Sequence, residues 1–230
     1  MIVGYTPYLE LVKDLTAGKE LLSSGMMQEH ARVELALERA AAGACVALIS
    51  SGDAGIYGMA GLALELIAAR QLKLAVEVVP GVSAAQAAAA RMGAPLMLDF
   101  ATISLSDLLV PWETIQARLE AVAAADLVVA LYNPRSKKRV HQLEDAAAIF
   151  SRHRPATTPV GIGTCVGSEE ETITLSDLDH FLSLEIGMRS VVIVGNRSSR
   201  VLDGRWFVTP RGYDLQTPAA GPRRRKAPAK

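Results

Sequence analysis

The chain has 230 residues, half of them hydrophobic, with 24 basic and 24 acidic side chains. That length and apolar share suffice for one large domain or two small ones, and aromatics at 5% leave a core of Ala, Val, Leu and Ile. No apolar run reaches the roughly 18 uncharged residues of a membrane span; the longest, AVAAADLVVALY, is broken by Asp126.

At the N-terminus no basic region leads into an apolar stretch, so no secretory signal is predicted and a cytoplasmic location is expected. MIVGY reads as a strand. Met26 to Ala42 reads as a helix, with Val33, Leu37 and Ala40 on one face at i, i+4 and i+7. CVALIS is apolar throughout, as suits a strand covered on both faces of a parallel sheet. Met59 to Arg70 follows as helix and LAVEVVP as the next strand. SAAQAAAARMG predicts a short helix with Gly93 as its C-cap. This β-α-β-α-β-α order indicates α/β architecture, and a boundary near Leu98 gives a first domain over 1–98.

Beyond it, Trp112, Ile115, Leu119 and Val122 form a helical stripe, with Pro111 suited to the first helical position. LVVALYN is a strand, and Val140, Leu143, Ala147 and Phe150 mark another amphipathic helix. PVGIGTCV, ETITL, SVVIVGN and RWFVTP read as strands. Several lack intervening helices, which predicts a mixed sheet in a second domain over 99–215. The remainder, 216–230, ends in GPRRRKAPAK, which carries five basic groups and no acid. It has no apolar periodicity and reads as a disordered tail. Without it the body is acidic, which argues against a nucleic-acid partner. No internal repeat is visible.

Four loops directly follow apolar strands: SSGDAGIYG, PGVSA, YNPRSKKR and GNRSSR. In open α/β sheets ligands bind outside the carboxyl ends of the strands, and glycines there admit a ligand close to the backbone. Each loop alone reads first as a strand-to-helix turn. Four on the same kind of strand end point to a site. GxGxxG and GxxxxGK[ST] are absent, so neither a dinucleotide nor a P-loop site is predicted. His30, His141, His153 and His180 are scattered without metal-ligand spacing, and no metal is expected. Cys45 and Cys165 lie in apolar runs and read as buried reduced thiols. No G-x-S-x-G elbow supports a serine nucleophile. Chemistry in which the reagent arrives activated, and the protein supplies position, fits best.

VGYTPYLELV, SGMMQEHARVELALERAAAG, VALISSGDAGIYGMAGL, VEVVPGVSAAQAAAARMGAPL, ISLSDLLVPWETIQARL, LYNPRSKKR and VTPRGY occur in this order. From Val3 to about Tyr213 they resemble the precorrin-3B C17-methyltransferases, tetrapyrrole methylases of cobalamin biosynthesis. The resemblance implies a two-domain α/β tetrapyrrole methylase fold, with a largely parallel sheet in the first domain and a mixed one in the second. It also implies a homodimer that binds S-adenosyl-L-methionine (SAM) in the cleft between its domains. Carried over by motif, Gly52, Asp53, Ile56 and Tyr57 would line SAM, with Ser83 and Ala84 on the next loop. Leu131, Thr164 and Ile193 would add the second domain's share. Ser104, Asp107, Asn133 and Arg135 would meet the tetrapyrrole substrate, precorrin-3B. Members of the family begin with a further strand and a G-x-G-P-G loop ahead of VGYTPYL. A chain starting at Met1 is therefore expected to lack that strand, to be poorly stable and to methylate weakly.

In the implied reaction SAM supplies an electrophilic methyl and ring carbon C17 is the nucleophile. The macrocycle contracts to precorrin-4, extruding a bridging carbon as an acetyl substituent. The protein's work is alignment, exclusion of water and management of protons. Asp53 is the catalytic candidate, for orienting SAM or as a base; it is equally a turn or cap residue. The many carboxylates of such a substrate call for cationic anchors, offered by Arg135, Lys137, Lys138, Arg139, Arg197, Arg200 and Arg211. The lysines are equally a solvated loop. Alternatives are a cobalt-factor III C17-methyltransferase, another corrin-pathway methylase, or a non-catalytic remnant that binds SAM or a tetrapyrrole.

Overall fold

Ile2–Tyr5 (β1) is the middle strand of a three-stranded parallel sheet in the computed structural model, which describes residues 1–137 and 139–216. The basic tail and Lys138 lie outside the described residues. β1 pairs with Leu21–Ser24 (β2) on one side and Ala47–Leu48 (β3) on the other. Thr6–Leu11 (α1), with Pro7 in its first turn, and Glu29–Ala41 (α2) make the crossovers that parallel pairing requires. α2 starts at Glu29 rather than Met26 because Met27 is left-handed, at φ 61°. Its Val33 and Leu37 pack with Met59 and with Leu62, Leu66 and Ile67 of Ala60–Ala69 (α3).

LAVEVVP does not form the predicted strand. Apolar residues fit a segment for a sheet, but only a hydrogen-bonded neighbour makes it a strand. Among the described residues none bonds the backbone from Leu74 to Pro80, and Val76, Val78 and Val79 are exposed. Cys45 is also exposed and Cys165 half-buried, contrary to the expected buried thiols. Cys45 stands just ahead of β3 in the chain, and Cys165 occupies a left-handed turn after a strand.

The chain divides into two compact units, Met1–Ala87 and Ala88 onward, so the division falls within Ala84–Met92 (α4) and ahead of Leu98. The residues between belong to the second unit because Gly93–Ala94 (β4) pairs there with a strand near the C-terminus. Gly93, at φ +130°, opens β4 instead of capping α4, and a Cβ there would stand 2.8 Å from the Phe207 carbonyl oxygen.

The second unit holds a five-stranded sheet. Its strands are Phe100–Ser104 (β5), Val128–Tyr132 (β6), Pro159–Thr164 (β7), Thr172–Asp177 (β8) and Ser190–Val194 (β9), ordered β5-β6-β9-β7-β8. β5 and β6 are parallel; the other pairings are antiparallel. The mixed sheet is as expected, although β5 itself was hidden among turn-forming residues. A smaller sheet joins Arg200–Leu202 (β10), Trp206–Val208 (β11) and β4. Trp112–Ala124 (α5) and Gln142–Ser151 (α6) cover one face of the large sheet, burying Ile115, Leu119, Leu143 and Phe150 against Val129, Leu131, Val192 and Val194. Pro111 caps α5 in extended conformation and does not occupy its first turn. On the other face β7 carries Gly161 and Gly163, where a Cβ would run into Met92 and Ala88 of α4. Among the described residues no helix is long and apolar enough to cross a membrane.

Candidate functional site

In the first unit the loop after β3 is wound around Asp53. One carboxylate oxygen accepts the Gly55 amide at 2.8 Å and the other accepts the Gly81 amide at 2.9 Å. The Gly81 and Gly55 amides hold the Asp53 carboxyl below its ordinary value, so it stays ionised. Asp53 thereby ties SSGDAGIYG to PGVSA. The two loops touch so closely that a Cβ on Gly81 would strike the Gly52 carbonyl oxygen, and Gly52 itself is left-handed at φ +71°. Ile56 and Tyr57 stand out from the turn, 37% and 52% exposed, Tyr57 at φ 55°. Ser83 is buried and makes a capping box with Gln86, its hydroxyl 2.9 Å from Oε1, while Ala84 opens α4 exposed. Arg32 is a feature the sequence reading missed. It is buried, donates to Ser24 Oγ at 2.6 Å and the Gly25 carbonyl at 2.7 Å, and fixes the carboxyl end of β2.

In the second unit the carboxyl ends of β5 and β6 lie side by side, Ser104 opposite Tyr132. The Asn133 side-chain amide donates to Ser104 Oγ at 3.0 Å. Asp107 accepts from Gln142 at 3.0 Å, and Arg135 is ion-paired with Glu144, so the first turn of α6 gathers the other two expected substrate residues. Arg135 is thus paired within its own unit. Arg139 is buried, its Nε 2.8 Å from the Asn133 carbonyl oxygen, and Lys137 is exposed.

Not every predicted residue joins these groups. β9 runs antiparallel to β6, so GNRSSR, with Arg197 and Arg200, lies at the opposite end of the sheet from YNPRSKKR. There Asn196 caps its own turn by accepting the Ser198 and Ser199 amides. Leu131 pairs with Val192 and faces the helices, whereas Ile193 pairs with Ala130 and Gly161 on the other face. Both are fully buried, and their side chains do not share a surface. Thr164 ends β7 at the same end as Tyr132, its hydroxyl 2.7 Å from that of Ser190. Strand direction separates these residues, and no local sequence signal carries it.

The family model for Tetrapyrrole (Corrin/Porphyrin) Methylases matches residues 1–181. A probable cobalt-factor III C(17)-methyltransferase of Salmonella typhimurium is 47% identical over 94% of this chain and 89% of its own length. The cobalt-factor III methyltransferase of Priestia megaterium is 45% identical, and the match spans 40% of that longer protein. A precorrin-3B C(17)-methyltransferase of a Sinorhizobium species is 40% identical over 91% of this chain and 85% of its own length. The crystal structure of the methyltransferase CobJ superposes with a TM-score of 0.83 at 36% identity, over 91% of this chain and 87% of that one. With the parallel sheet, the mixed sheet and glycine-rich strand ends in place, these matches lead to one conclusion: the chain belongs to the tetrapyrrole methylase family.

Proposed function

We propose that the chain is a SAM-dependent methylase acting at C17 of precorrin-3B in cobalamin biosynthesis. The observation that carries this reading is the Sinorhizobium relative, named for precorrin-3B and alike over 91% of this chain and 85% of its own length. SAM, when bound, brings a methyl group already activated by its sulfonium. The first-unit loops suit such a ligand. Asp53 uses two of its roughly four lone-pair positions on loop amides and keeps the rest for a ligand's hydroxyl or ammonium donors. Held ionised, it orients a partner better than it abstracts a proton. Gly52 and Gly81 let the two loops close on each other, and Ile56 and Tyr57 offer apolar surface against which water is excluded. Ser83 supports the loop through its capping box, with Ala84 beside it. In the second unit Ser104, Asn133 and Arg135 present groups suited to carboxylate arms, Asp107 offers an acceptor for a donor group of the macrocycle, and Leu131, Thr164 and Ile193 belong to the strands behind. Homodimerisation is part of the same proposal and is checked by light scattering.

A second reading, in which the macrocycle carries cobalt, is favoured by the names of the Salmonella and Priestia relatives, both more identical than the Sinorhizobium one. Incubation with SAM and either precorrin-3B or cobalt-factor III separates them. The expected result is release of S-adenosylhomocysteine and a product heavier by one methyl group with one macrocycle. Binding of SAM without methylation of either macrocycle would leave the non-catalytic alternative.

A further inference from the structure

YNPRSKKR reads as a run of cations, yet its last arginine is turned inward. Arg139 is 7% exposed, and its Nε donates to the Asn133 carbonyl. The loop is closed a second time by Ser136 and Arg139, whose backbones meet as Ser136 N to Arg139 O at 3.0 Å, and by the Arg139 amide on Ser136 Oγ at 3.1 Å. Between these ties Asn133 is left-handed, at φ 51°, a conformation that asparagine tolerates better than most residues. This backbone setting sends its side-chain amide to Ser104 Oγ on the neighbouring strand. The same oxygen accepts the Ser106 amide at 3.2 Å. A serine hydroxyl has two lone pairs and one proton. With both lone pairs engaged, what Ser104 retains is donation, and no acceptor among the described residues receives it. Burial pulls the Arg139 pKa below its ordinary value, and the Asp107 charge opposes that shift.

We propose that Arg139 is a positioning residue that, through Asn133, sets the Ser104 hydroxyl as a hydrogen-bond donor to a carboxylate arm of the macrocycle. This rests on the C17-methylase reading. Arg139 itself never meets the ligand. It works by fixing where β6 turns, and the specificity is for an acceptor group, not merely for negative charge.

The test uses the 230-residue chain, with precorrin-3B binding followed by absorbance and SAM binding by calorimetry. Ser104→Ala is expected to weaken macrocycle binding about tenfold, the scale of one lost hydrogen bond, with SAM affinity unchanged. Arg139→Ala should give a similar loss, Arg139→Lys should recover part of it, and Arg139→Ala with Ser104→Ala should be no worse than Ser104→Ala alone. Should Arg139→Ala fail to fold, Asn133→Gly replaces it, since glycine keeps the left-handed turn and removes the amide. Multiplying losses, or a loss confined to SAM, would overturn the assignment. The Asn133 side-chain amide resonance should also move in Arg139→Lys without any ligand. If wild type binds no macrocycle, the methylase reading fails while this resonance still judges the relay; an unmoved resonance sinks the relay alone.

Discussion

Asp53 joins two loops of the first unit through one carboxylate. Its pKa is lowered from an ordinary 3.8, chiefly by the Gly81 amide and then by Gly55. A carboxylate depressed in the folded state contributes stability above its unfolded pKa and loses that contribution as pH falls through the folded value. Loop order should therefore be constant through the neutral range and decline only below about pH 4. Asp53→Ala is expected to weaken SAM binding about tenfold or more at neutral pH with the overall fold retained. Unchanged affinity by calorimetry would remove Asp53 from the site. The turn-organising place of Asp53 was readable from SSGDAGIYG, where a carboxylate sits among glycines at a strand end. The burial of Arg139 was not readable, because four cations in five residues look alike until the chain is folded and one of them is enclosed.

Elements decide which of these residues can meet. Short apolar runs announced β6, β7 and β9 correctly, but their directions set the outcome: β9 returns against β6 and carries GNRSSR away. At that far end Arg154 plays a structural part. It is 4% exposed, donates to the Leu127 carbonyl at 2.6 Å and also to the Gly195 carbonyl, and lies over the Phe150 ring at 4.6 Å. Burial draws its pKa down to about 10, so it remains a cation at neutral pH. Arg154→Ala strands two carbonyl groups that anchor the start of β6 and the end of β9. It should cost about 2–4 kcal/mol, measured as a lower urea midpoint with an unchanged slope. In the first unit Gly81→Ala is the corresponding test of loop contact. The added methyl meets backbone rather than a movable side chain, so about 1–3 kcal/mol is expected, with weaker SAM binding. Full stability in either variant would contradict the packing described.

For the whole molecule, the segment from Leu74 to Pro80 is the exposed liability. It is rich in β-forming residues, has no backbone partner among the described residues, and presents Val79 at 69% exposure. Such a stretch invites pairing between chains. Its amides should exchange with solvent far sooner than those of β1, and Val79→Lys should reduce light scattering on warming without lowering the thermal midpoint. Greater scattering in the lysine variant would place the sticky surface elsewhere. The division into two units with separate sheets also governs how unfolding can be watched. Both tryptophans, Trp112 and Trp206, belong to the second unit, while Tyr5, Tyr8 and Tyr57 belong to the first. Indole emission therefore reports directly on the second unit. Where the far-ultraviolet dichroism of a heated sample begins to fall before its tryptophan emission shifts, the first unit has melted on its own, and a single midpoint no longer describes the protein.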